Sequence, residues 1–122
     1  MQYQQPSAMT LDDAARILET GSHLDAARAV ISVALHATDR DGLQRFLAFA
    51  STKSSPLVRG NALIGFGHMA RRFGSLDRAV ALPPVASGLH DSDPYVKSHA
   101  NAAADDFEQF LGWTVVRTNA DA

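Results

Sequence analysis

The chain holds no cysteine in 122 residues. That excludes disulfides and thiolate zinc sites, and it suits a reducing cytoplasm. No apolar run approaches 18 residues, and the opening MQYQQPSAMT has neither a basic start nor an apolar stretch. We therefore expect no membrane span and no signal peptide. Positive charge is not in excess. The formal charge is −2, with six acidic and six basic residues through Asn61, then seven acidic and five basic. Nucleic acid is not an expected partner, because a phosphate-binding face needs a basic stripe. Catalytic signatures are missing too. There is no Gly-x-Ser-x-Gly and no His-x-x-x-His, and Gly65-x-Gly67 lies inside a helical pattern with no strand before it. No nucleophile elbow, phosphate loop or cofactor follows from such a sequence. Five histidines raise the question of a metal. His90 and His99 straddle a helix start, so Asp91 and Asp93 read as capping residues and no metal site is expected.

What the chain does have is a repeat. Residues 54–74 return 38 positions later as residues 92–112. Ser54 answers Ser92, Pro56 Pro94, Val58 Val96, Ala62 Ala100 and Gly74 Gly112, while Arg59 and Lys97 keep the charge. A period near 40 built on helices predicts an all-α fold, an α-α superhelix of about six helices in three antiparallel pairs. The second, fourth and sixth helices are expected to form the inner layer.

Start and stop signals divide the chain. Residues 1–9 are polar and read as a flexible lead-in, 10–113 as one domain, and 114–122 as a tail. Thr10 with Asp13 begins a first helix that Gly21 closes as a C′ glycine. Ser22 caps a second, to about Thr38, with Leu24, Ala27, Val30, Ile31, Ala34 and Leu35 as its apolar stripe. Residues 39–42 read as a turn before a third helix carrying Leu43, Phe46, Leu47 and Ala50. Ser55 and Pro56 open the fourth. Pro83-Pro84 leaves the fifth open between a helix that begins there and one that is kinked there. The sixth runs from Pro94 to about Leu111 with Val96, Ala100, Ala103, Phe107 and Phe110 inward, and Trp113 is expected to pack over its end.

On the fourth helix two arcs separate at 100° per residue. Val58, Ala62, Phe66, Met69 and Phe73 form the core arc. Asn61, Gly65, His68 and Arg72 form the other, free of core duty, which makes Asn61, His68 and Arg72 candidate partner-binding residues. His99, Asp105, Asp106 and Gln109 on the sixth helix join them. A His68–Asp106 bond across the repeat is the purely structural alternative. Acid–base catalysis by Asp105 and Asp106 is not expected, since they diverge by 100°.

The start of each inner helix, SSPLVRGNA and DSDPYVKSHA, resembles HEAT repeats, although the aspartate stands only in the second copy. Gly65-Phe-Gly-His68-Met-Ala-Arg71 with Gly74-Ser-Leu-Asp77, and Ala103-Ala-Asp105-Asp106-Phe, resemble short bacterial HEAT-like proteins. That resemblance implies a cytoplasmic, non-enzymatic protein without cofactor. Its partner is then another protein, as in the immunity proteins of polymorphic or contact-dependent toxin systems, which bind and neutralise a cognate toxin domain. A general scaffold or adaptor, and a HEAT-like DNA-binding or repair protein such as the alkyl-purine glycosylases, are the alternatives.

Overall fold

A computed structural model describes residues 9–117. The lead-in before Met9 and the tail beyond Arg117 lie outside the described residues. Six helices make up the fold: α1 (Leu11–Thr20), α2 (His23–His36), α3 (Arg40–Ala50), α4 (Pro56–Phe73), α5 (Arg78–Gly88) and α6 (Pro94–Leu111). Each begins with an oxygen-bearing cap. The side chains of Thr10, Ser22, Asp39, Ser55, Asp77 and Asp93 each accept a backbone N–H of the first turn. The orphan donors of a helix start are met in this way, so the boundaries are set locally.

The helices pack in two layers. In one, α4 lies between α2 and α6; in the other, α3 lies between α1 and α5; and α1/α2, α3/α4 and α5/α6 pair across them. The core runs through all three pairs, with Leu43, Leu47, Leu63, Phe66, Met69 and Phe107 fully buried. The 38-residue period is wider than residues 54–74 suggest. α3 and α5 both span 11 residues, start at Arg40 and Arg78, and carry caps Asp39 and Asp77. α4 and α6 both span 18 and end at Gly74 and Gly112, each left-handed with φ 67° and 69°. Glycine reaches that conformation without steric cost, which is why both copies keep it.

Several expectations change. Gly21 is extended, with φ −83°, and closes α1 through its N–H to Ile17 O at 2.8 Å. Asp39 caps α3, so the supposed turn is the helix's first turn. α2 stops at His36, and Leu24 and Leu35 are 45% and 43% exposed. Val33, Ala26 and Ala29 are buried with Ala27, Val30 and Ala34 instead, because small residues let α1 and α4 approach from both sides. Phe110 is also exposed, since it lies on the flank of α6 that no later helix covers. Pro83 and Pro84 sit inside one continuous α5. Trp113 packs edge-on against Phe107 at 5.1 Å, and Val115 is buried.

Candidate functional site

α4 is flanked within its layer by α2 and α6 and covered by α3 and α5, so both of its arcs are packed. This corrects the expectation that Asn61, Gly65 and Arg72 are free of core duty. Asn61 is 8% exposed. Its Nδ2 donates to Ala27 O of α2 at 3.0 Å, and its Oδ1 accepts the Tyr95 hydroxyl of α6. A buried amide is stable there because both ends are met. Gly65 lies against Leu47 and Ala34, where an added Cβ would come within about 3 Å of either. Arg72 donates to Ala34 O and Ala37 O, each at 2.8 Å. Those carbonyls end α2, so the guanidinium meets orphan acceptors at the negative end of a helix dipole.

On its other flank α4 packs against α6, and among the described residues no third helix covers the surface groove on the inner side of that seam. At 100° per residue, Tyr95, His99, Asp106 and Phe110 fall within about 60° on α6. Two clusters form along this groove. In the first, Tyr95 lies on Gly60, whose missing Cβ would overlap the ring. His99 meets that ring edge-on at 4.5 Å. The second is one repeat of seven residues further, about 10 Å along the helices. There Arg71 Nη2 contacts His68 Nδ1 at 2.7 Å and Nη1 pairs with Asp106 at 3.5 Å. The direct His68–Asp106 bond, the structural alternative, is not made; Arg71 lies between the two. Burial holds the His68 pKa below the ordinary histidine value, with Arg71 adding to the effect. Burial likewise raises the Tyr95 hydroxyl.

The acidic residues of α6 are not a bare patch. Arg117 pairs with Asp105 and Glu108, each at 2.7 Å, and those carboxylates hold its pKa above the ordinary arginine value. Gln109 is exposed. Of the residues named from sequence, His99, His68, Asp106 and Gln109 sit on or beside the groove. Asp105 lies beside it under Arg117, while Asn61 and Arg72 hold its floor to α2. Tyr95 and Arg71 were missed. Tyr95 was legible as the aromatic four residues before His99 on one helical face. Of the residues considered for a metal, Asp91 accepts Arg59 and the Asp93 N–H, and Asp93 caps α6. Among the described residues no three His, Cys, Asp or Glu side chains cluster as ligands would.

The class that this geometry defines is an all-α, two-layered helical protein with an uncovered groove on its inner layer. No helix among the described residues is long and apolar enough to cross a membrane. Among solved structures, the chain is similar to one in the crystal structure of a CDI complex from Cupriavidus taiwanensis LMG 19424. The TM-score is 0.72 and the identity 28%, over 90% of this chain and 97% of that one. No protein-family model and no curated protein matches the chain.

Proposed function

We propose that this chain is an immunity protein that binds a cognate bacterial toxin domain in the cytoplasm and neutralises it without chemistry of its own. The likeness to a chain of the CDI complex, along nearly the whole length of both, carries the reading. We read CDI as contact-dependent inhibition, and the stacked helix pairs as a HEAT-like solenoid. The α4–α6 groove supports a protein partner. It offers exposed aromatic anchors, Tyr95 and Phe110, beside His68, His99, Asp106 and Gln109, the mixture that hot spots and their polar rim require. Neutralisation by contact needs a complementary interface of roughly 1,200–2,000 Å². Co-expression with a candidate toxin domain, sought among the genes neighbouring its own, tests the reading. Growth rescue and a co-purifying complex are expected, and rescue is lost with Tyr95→Ala together with Phe110→Ala. A chain that neither binds nor protects overturns it.

A further inference from the structure

A second concavity lies on the other side of the molecule, between the C-terminal end of α3, the start of α4 and one face of α5. It has a volume of about 480 Å³, within the range of small-ligand sites. Ala48, Leu63, Val80, Pro84 and Val96 give it a largely apolar wall, and Arg59 and Asp91 close one side.

Its chemistry follows from the two prolines. In a helix the Val80 carbonyl accepts an N–H from residue i+4, or from i+3 in a tighter turn. Here those positions are Pro84 and Pro83, and neither has an N–H. Among the described residues, no cap, turn or side-chain donor reaches the Val80 oxygen. Val80, Pro83, Pro84 and Ser87 all line the cavity, so the face of α5 on which this carbonyl lacks a donor is the face turned to it.

Of the donors of the wall, those of Ser51, Thr52 and Arg59 are engaged, while the Ser87 hydroxyl makes no side-chain hydrogen bond among the described residues. Ser51 Oγ donates to Ala48 O at 2.6 Å and Thr52 Oγ1 to Phe49 O at 2.7 Å. Arg59 donates through Nε and Nη2 to the Asp91 carboxylate at 3.0 and 3.1 Å, and through Nη1 to Lys53 O and Ser54 O. The pocket therefore has the Val80 carbonyl as an acceptor to satisfy and the Ser87 hydroxyl as its open donor. The Arg59–Asp91 pair leaves its wall without net charge.

We propose that this cavity binds a neutral, planar aromatic ring bearing a single N–H donor, the chemistry of an indole, with the N–H directed to the Val80 carbonyl. The apolar wall covers the ring, and the Arg59 guanidinium is a cation of the kind that favours an aromatic face. An alkylammonium fits less well, because the largely apolar wall does not replace the water that its charge would lose. The proposal stands apart from the toxin reading, since it concerns a different face of the molecule.

Titration of the ¹⁵N-labelled chain with indole tests it by amide NMR. Shifts are expected at Leu63, Ser87, Gly88 and Val96. Benzofuran, which has the same shape but an oxygen in place of the N–H, should bind about three- to tenfold more weakly, the worth of one net hydrogen bond. Pro84→Ala returns an N–H to the Val80 carbonyl and should abolish that preference without harming the fold. Ser87→Trp places an indole at the mouth from the chain itself and should block the titration. Two probes separate the sources of the ring. Tighter binding of N-acetyltryptophanamide assigns it to a tryptophan side chain in a polypeptide, and tighter binding of indole to a free heterocycle. Absence of shifts at the cavity at millimolar indole overturns the proposal. So does equal binding of indole and benzofuran.

Discussion

Asn61 joins three helices through one amide, from α4 to Ala27 of α2 and to Tyr95 of α6. Replacing it by alanine leaves a small cavity and strips the Tyr95 hydroxyl of its partner. Asn61→Ala should cost about 1–3 kcal/mol in urea unfolding, and Tyr95→Phe about 1 kcal/mol. Because the two share a bond, the double variant should lose less than the sum; full additivity would remove the link. His68 makes a second prediction, in pH. Its neighbours across the groove and along α4 are Arg71, Arg72 and Asp106. Its pKa in the folded chain lies below the ordinary value near 6.5, so the native state binds fewer protons than the unfolded one between those two values. Stability then falls as pH drops through about 6.5, and levels off once pH passes below the folded value. Melting temperature should decline over that window, and His68→Gln should flatten the decline. Neither role was readable from a helical wheel. The wheel sorts residues into faces but does not say how many neighbours a helix has, and α4 has neighbours on nearly every side.

Element boundaries were legible for the opposite reason: a cap acts within four residues of itself. Ser55-Pro56, Asp93-Pro94, Gly74 and Gly112 all stand where spacing and turn chemistry place them. Gly74 gives a clean test, because an added Cβ meets nothing within 4 Å and the left-handed backbone is the sole penalty. Gly74→Ala should cost about 1 kcal/mol, and Gly112→Ala a similar amount. α5 was the least legible element, since two interior prolines argue against a continuous helix. It persists because its neighbours hold it: Gln44, itself buried, accepts the Asp77 N–H at 3.0 Å, and Gly88 lies hard against Leu63 and Ala100. Interior proline costs a helix about 3 kcal/mol but lowers the entropy of the unfolded chain by up to about 1 kcal/mol. Pro84→Ala should therefore stabilise the protein by about 2 kcal/mol, read as a higher urea midpoint with unchanged slope.

At the scale of the molecule, the period was legible and the ends of the stack were not. Residues 39–74 and 77–112 superpose in spacing because each supplies one helix to each layer, while α1 and α2 are shorter and follow their own spacing. An end helix has one uncovered side, and each end solves this differently. On α2 the exposed flank keeps Leu24 and Leu35. On α6 the chain turns back after Gly112. Trp113 meets Phe107 at 5.1 Å and Arg78 lies over its ring at 5.6 Å; Val115 is buried and Arg117 spans Asp105 and Glu108. Two kinds of interaction hold this strap, and their magnitudes differ. The ion pairs of Arg117 involve well-exposed carboxylates and are worth about 0–1 kcal/mol. Burial of Trp113 and Val115 is worth more, at about 1.5–3 kcal/mol for a large apolar side chain. Ending the chain at Gly112 should thus lower stability by about 2–4 kcal/mol in urea unfolding, whereas Arg117→Ala should change it by less than about 1 kcal/mol. If Arg117→Ala costs as much as the truncation, charge rather than apolar cover closes the last helix. In that case the truncated chain should regain its stability with Asp105→Asn and Glu108→Gln, which relieve the carboxylates left without their cation.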